Sequence, residues 1–268
     1  MPNCAGSRAL VTGASGGLGS AMARHLARWG SNLVLSARRI EPMEQLADEL
    51  RSTEGVEVEV VPGDLLAEDG PGELFEAVTA GGRELDILIN NAGYGLYGRF
   101  HEIDRENQLR MIRLDVAALT DLAHRFVERV LPSGRPAHLL NVASIAGVMP
   151  VPKMAAYCGC KAYVVSLTEA MAVELARTPV KVCALCPGPV DTEFWDIAGK
   201  EVGRLGSVMK VSPEKTAEEA LRALFRGWPT VVLPGAVNKL FATGGRMIPR
   251  KLAGIGSFVF LGGLRDQD

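Results

Sequence analysis

Short apolar runs that alternate with longer stretches of helical period constrain this chain more than any other feature. The runs at 9–12, 32–37, 56–61, 85–90, 138–143, 180–185 and 230–233 are rich in Val, Leu, Ile and Ala and show no strict polar alternation. That is the pattern of strands covered on both faces, as parallel sheets are. Between them, helical spacing runs over about 17–29, 42–51, 105–130, 155–177 and 213–225. Strand, crossover helix and strand repeated in this order predict an α/β fold, a doubly wound parallel sheet of about seven strands in a single domain. A length of 268 residues is near the upper end of what one core supports. Residues 194–212 and 234–268 fit the alternation poorly, and irregular segments over strand ends are where α/β proteins usually choose their ligands.

Composition removes several classes of function. Lys+Arg 29 against Asp+Glu 31 leaves a net charge of −2, which argues against a basic face for nucleic-acid phosphates. With 47% hydrophobic residues the chain is not expected to be disordered. The 5 cysteines are an odd number behind a start with no basic-then-apolar order, so no disulfide framework is expected and the protein is placed in the reducing cytoplasm. The 4 histidines (His25, His101, His124, His138) lack ligand spacing, and no metal is expected. No uncharged apolar run reaches the roughly 20 residues of a spanning helix. The nearest, 252–264, is broken by glycines and suits a membrane surface better than its interior.

A glycine-rich turn, Thr12-Gly13-Ala14-Ser15-Gly16-Gly17-Leu18-Gly19, joins the first strand to the first helix. Its glycines let backbone approach a pyrophosphate, and the N–H groups opening the helix point at the anion, as in Rossmann-type dinucleotide sites. Gly13, Ser15, Gly17 and Leu18 are therefore candidate cofactor residues. An NAD site places an acidic residue at the end of the second strand; here Arg38 and Arg39 follow it. Arg38 is a candidate for the 2′-phosphate of NADP, through a charge-assisted and forked pair. Two solvated loop arginines are the alternative, and Gly16 offers no second cation.

Tyr157 and Lys161 stand i and i+4 on one helix face. A phenol of pKa about 10 is a poor acid–base group at neutral pH, and a nearby ammonium stabilises its phenolate. Packed Tyr–Lys pairs of this spacing are common on helices. Ser144, just after a strand and thirteen residues before Tyr157, makes this one a candidate proton-transfer centre.

The ordered set of the glycine turn, Asn90-Asn91-Ala92-Gly93, Ser144, Tyr157 with Lys161, and Pro187-Gly188-Pro189-Val190-Asp191-Thr192 resembles the short-chain dehydrogenase/reductase superfamily over roughly residues 8 to 195. The resemblance implies that 1–235 form a Rossmann-fold NAD(P)-binding catalytic domain with a substrate lid at about 193–212, followed by an apolar and basic tail at 236–268. It implies that Tyr157 is the general acid–base, that Ser144 bonds the substrate oxygen, and that Lys161 lowers the Tyr157 pKa and holds the nicotinamide ribose. Asp64 and Leu65 would contact adenine, Asn91 the adenosine ribose, and Pro187, Val190 and Thr192 the nicotinamide end. Asp115 stands where the family usually has Asn, the fourth member of its proton relay. There the family uses a main-chain carbonyl to hold a water near the Lys, so Asp serves unchanged, or its carboxylate stabilises the Lys161 ammonium and opposes the lowering of the Tyr157 pKa. Cys158 and Cys160 are expected to pack.

The expected activity is NADP(H)-dependent hydride transfer between a ketone and a secondary alcohol, with NAD(H) the alternative cofactor. Phe194, Trp195, Val148, Met149 and Met154 are candidates for an apolar substrate pocket, with ordinary core the equal alternative for each. A 3-oxoacyl-thioester reductase is the alternative within the class, with Lys200 and Arg204 to meet a carrier phosphate. A non-catalytic NADP(H)-sensing regulator is the alternative from another class. The resemblance also implies a homodimer or homotetramer through the helices at 105–130 and 155–177. The tail, which mixes Lys239, Arg246, Arg250 and Lys251 with large apolar residues, suits either a subunit contact or a peripheral membrane contact.

Overall fold

The computed structural model describes residues 4–190, 210–247 and 249–260. Seven strands form one sheet: β1 Arg8–Thr12, β2 Asn32–Ser36, β3 Val58–Val60, β4 Ile87–Asn90, β5 Ala137–Val142, β6 Val180–Leu185 and β7 Val231–Val232. Their order is β3-β2-β1-β4-β5-β6-β7, and every pairing is parallel. The chain thus winds outward from β1 in one direction and from β4 in the other. A crevice opens at the carboxyl ends of β1 and β4, the topological switch point where such sheets take their ligands.

Nine α-helices are described: α1 Gly17–Arg28, α2 Ile40–Glu54, α3 Gly70–Thr79, α4 Arg105–Ile112, α5 Leu119–Val130, α6 Ala155–Glu174, α7 Pro213–Arg226, α8 Ala236–Met247 and α9 Arg250–Phe260. Alternate strand residues face opposite layers. Ala9, Val11, Leu33, Leu35, Ile87 and Ile89 pack on one face with Met22, Leu26, Leu46, Leu50, Leu221 and Leu224. Leu10, Val34, Leu88 and Leu139 pack on the other with Leu74, Phe75, Leu122 and Phe126. Both faces are therefore dry, which explains the uninterrupted apolar runs.

Three elements differ from the sequence expectation. Helix α3 lies in a stretch read as a plain connection between strands, because its glycine- and proline-rich start hid a buried stripe of Leu74, Phe75 and Val78. The helical pattern over 105–130 is divided by a π-helical segment, Arg113–Ala118. Residues 236–247 and 250–260 of the tail are helical. Among the described residues, no helix is long and apolar enough to cross a membrane.

The glycine turn is held down from three sides. The Thr12 hydroxyl accepts from the backbone N–H groups of Asn91 and Ala92, both at 3.0 Å. Asn91 Nδ2 donates to the carbonyls of Thr12 and Gly13 at 2.9 and 3.3 Å. A Cβ on Gly19 would stand 2.4 Å from the Gly13 carbonyl oxygen, so only glycine lets α1 approach the turn this closely. Gly19→Ala is expected to cost about 1–3 kcal/mol through overpacking, read as a lowered midpoint in urea with an unchanged slope.

Candidate active site

Four segments bring the proposed chemistry together. Ser144 follows β5 and caps a short 3-10 turn, its Oγ accepting from Ala146 N at 3.1 Å. A Cβ at Gly147 would lie 2.5 Å from the Lys161 carbonyl, so this turn rests directly on α6. The approach sets the Ser144 hydroxyl beside Tyr157, whose pKa it acts to lower. Lys161, one turn along α6, has Nζ 5.6 Å from the centre of the Tyr157 ring and donates to the Val142 carbonyl at 3.1 Å.

Asp115 lies in the π-helical segment and is fully buried. Its Oδ2 stands 2.9 Å from Lys161 Nζ, an ion pair rather than a well-aligned hydrogen bond, while Oδ1 accepts from Tyr94 N at 3.2 Å. A π-turn inserts one extra residue into a helix and rotates the side chains around it, a device common at functional sites. The Asp115 carboxylate faces the lysine directly, the geometry that the side-chain role requires.

This pairing changes the expected electrostatics. Burial raises the Asp115 pKa against the pull of Lys161. Burial alone would lower the Lys161 pKa, but the charges of Asp115 and Tyr157 and the Asp115 contact together raise it. Tyr157 is pushed up to about 12, first by burial and further by Asp115, although Lys161 and the Ser144 hydrogen bond act downward. Lys161 thus acts on Tyr157 in the expected downward direction, but burial outweighs the ammonium and Asp115 opposes it further.

These groups sit in a cleft of about 850 Å³, within the usual range for small-molecule sites. Its walls include Gly13, Ser15, Gly17, Leu18, Arg38, Asp64, Leu65, Asn91, Ser144, Tyr157, Lys161, Pro187 and Val190. Asp115 stands behind this wall, and Thr192 lies outside the described residues together with Phe194, Trp195, Lys200, Arg204 and the expected lid. Helix α1 starts with no acidic side chain in its first turn and no capping side chain, leaving its positive end open to an anion. Arg38 is exposed at the mouth, and Arg39 Nη2 donates to the Ser15 carbonyl at 3.5 Å across the turn. Asp64 Oδ1 accepts from Leu66 N at 3.0 Å, so it shapes its own loop as well as lining the cleft. The residues present fit a nicotinamide dinucleotide, phosphates at the α1 end and the reactive ring beside Tyr157.

Met149, Val151 and Met154 form an apolar end of the cleft. Val148 is corrected: it packs in the core with Leu119 and Val164 instead. Cys160 is buried and pushed up to about 11 by burial, and Cys158 Sγ accepts from Val151 N at 3.3 Å. Both side chains pack with Met154 and Tyr157. Among the described residues no group of three or more metal-ligating side chains occurs. His138 lies against Phe225, ring centres 4.4 Å apart, and His25 contacts the Glu214 carbonyl.

Sequence reasoning missed Thr12, Tyr94, Arg110, Asn141 and Ser257. Asn90 Nδ2 donates to the Leu119 carbonyl at 2.9 Å and to Asn141 Oδ1 at 3.3 Å, and Asn141 Nδ2 donates to Thr168 Oγ1 at 3.0 Å. This buried relay ties β4, β5, α5 and α6 together beneath the site. Its one signal in the sequence is an Asn in each of two largely apolar strands. Arg110 and Tyr94 line the cleft, and the Tyr94 hydroxyl donates to the Asn107 carbonyl at 3.3 Å.

A seven-stranded parallel sheet with a Ser–Tyr–Lys centre in the crevice defines a nucleotide-dependent oxidoreductase of the α/β class. The family model described as short chain dehydrogenase matches residues 7–202, and the chain belongs to that family. It is 31% identical over 230 residues to the sulfoacetaldehyde reductase of Chromohalobacter salexigens, covering 85% of this chain and 89% of that protein. Among solved structures, a short-chain dehydrogenase from Sphingobium yanoikuyae in complex with NADPH aligns with a TM-score of 0.79 at 31% identity, covering 90% of this chain and 93% of that one. A short-chain dehydrogenase/reductase from Burkholderia phymatum in complex with NAD aligns at 0.81 and 25% identity, covering 91% and 94%.

Asp115→Asn removes a negative charge that raises the Tyr157 pKa, so the ascending limb of alcohol oxidation should move to lower pH. Activity should stay within about an order of magnitude of the original. A profile of kcat/KM against pH for both proteins checks this, and an unmoved limb would refute the coupling.

Proposed function

We propose that the protein is an NADP(H)-dependent reductase of an apolar ketone, working reversibly on the corresponding secondary alcohol. The observation that carries this is the placing of Ser144, Tyr157 and Lys161 together in the wall of one cleft whose far end is apolar. With its pKa pushed up to about 12, Tyr157 holds its proton at neutral pH and serves as a general acid. The Ser144 hydroxyl orients and polarises the carbonyl oxygen, and Tyr157 delivers a proton to that oxygen as the carbonyl carbon is reduced. Lys161, kept charged by Asp115, stabilises the tyrosinate left behind. The nicotinamide dinucleotide supplies the hydride when bound.

Arg38 supports NADP(H) as the cofactor. It is exposed on the cleft after β2, and no acidic side chain lies between Ser36 and Ile40 to repel a 2′-phosphate. One structural neighbour holds NADPH and another NAD, so the preference rests on Arg38 itself. The sulfoacetaldehyde reductase relative supports carbonyl reduction, and the apolar wall of Met149, Val151 and Met154 supports a larger, uncharged substrate.

Homo-oligomerisation is supported by large apolar side chains left exposed on the helices next to the sheet, notably Val173 at 77% and Tyr163 at 40%. The outward side of the tail, with Val237, Leu240, Leu252 and Ile255 beside Lys239 and Lys251, supports a peripheral contact there with a lipid surface or a second subunit.

Tyr157→Phe should lose at least about three orders of magnitude in turnover while binding NADPH as tightly as before, followed by cofactor absorbance and by fluorescence titration. A non-catalytic sensor would show no turnover in either protein. Arg38→Leu should weaken NADPH binding about 10- to 100-fold, the worth of a charge-assisted contact, and leave NADH binding unchanged. Val173→Glu should shift the mass measured by light scattering toward a single chain if α6 is a subunit contact.

A further inference from the structure

The apolar end of the cleft has a wall from an unexpected part of the chain. Ser257, on α9, lines the same cavity as Ser144 and Tyr157 and is only 1% exposed. Its Oγ lies 2.7 Å from the Pro150 carbonyl and 2.9 Å from the Gly254 carbonyl, so one hydroxyl proton is shared between the loop carrying Met149 and Val151 and the preceding turn of its own helix. Gly254, three residues earlier and on the same helix face, packs on Pro150; a Cβ there would stand 3.4 Å from Pro150 Cγ and 3.9 Å from Pro150 Cβ. Leu252 and Ile255 point the other way, 56% and 53% exposed. These four positions settle which face of α9 is turned inward.

The start of the tail is seated as firmly. Asn238 on α8 is 1% exposed and donates from Nδ2 to the Pro234 carbonyl at 2.8 Å. Its amide fills the space over Gly188, in the loop that lines the cofactor side of the cleft; a Cβ on Gly188 would be 2.5 Å from Asn238 Oδ1. Helix α8 therefore packs on one loop of the cleft and α9 is hydrogen-bonded to another.

We infer that α9 is a wall of the substrate end of the cleft, latched by the Ser257–Pro150 hydrogen bond, and that residue 257 sets the bulk of substrate the site admits. The inference rests on the ketone reduction proposed above and adds to it a specificity-determining residue about a hundred positions from the catalytic tyrosine. The side chain at 257 is small where Met149, Val151 and Met154 are large, which leaves room for a ring or branched chain on one side of the carbonyl.

The test compares 2-butanone and benzophenone with NADPH as cofactor. Ser257→Met should lower kcat/KM for benzophenone on the order of tenfold or more, keep that for 2-butanone within about threefold, and leave NADPH affinity unchanged. Equal effects on the two ketones, or none, would overturn the inference. If that variant does not fold, Ser257→Ala carries the test. Loss of the latch should speed amide exchange in both 149–154 and 250–260 and change the ratio of the two specificity constants; unchanged exchange and an unchanged ratio count against the wall. If the unaltered protein reduces neither ketone, the ketone reading fails, and the wall is judged separately. Pro150→Cys with Gly254→Cys should then form a disulfide within one chain under mild oxidation, since the spacing suits one. Absence of that crosslink overturns the placement of α9, and its formation supports it.

Discussion

Much of the site depends on one buried ion pair, Lys161 with Asp115, at 2.9 Å. Removing two charges from water is costly, and a pair with 5% and 0% side-chain exposure persists only where further polar groups share the charge. Here the Val142 carbonyl accepts from the lysine and the Tyr94 N–H donates to the aspartate. The pair fastens α6 to the helix bearing the π-segment, across the crevice where β4 and β5 end. It also sets the charge state around Tyr157: an ammonium answered by a carboxylate lowers a phenol's pKa less than a bare ammonium does. Burial then dominates and the tyrosine keeps its proton. The proposed reduction needs that acid form.

The same economy of contacts recurs along the crevice. Thr12 and Asn91 spend their side chains on one another's backbone, so the glycine turn and the end of β4 move as one body. The Asn90–Asn141–Thr168 relay does the same for β4, β5 and α6. These residues act by fixing where Ser144, Tyr157 and the start of α1 stand, which is what orientation in catalysis requires. At the opposite end, one tail helix packs on the Gly188 loop and the other is hydrogen-bonded to the Pro150 loop. A single cleft thus gathers residues from the first strand to the last helix.

Local pattern made the fold legible. The central strands are buried on both faces, so their apolar runs needed no knowledge of their partners. Helix α3 escaped because its glycines and proline resemble a loop until Leu74, Phe75 and Val78 find the sheet. Gly13, Ser144, Tyr157 and Lys161 were readable because their spacing is itself the chemistry. Tyr94, Arg110 and Ser257 were not, since nothing in the neighbouring residues announces a contact made across the cleft.

The sequence by itself determined the alternation of strands and helices and the glycine turn, because each depends on short-range spacing, and it put forward Ser144, Tyr157 and Lys161 through an ordered set of motifs. Tertiary structure alone decided that the Asp115 carboxylate, carried on a π-helical segment, faces Lys161, and that burial pushes the Tyr157 pKa up. It also decided that the tail is part of the site: helix α9 presents Ser257 to the Pro150 loop and Leu252 to solvent, a choice of face made by packing between segments a hundred residues apart.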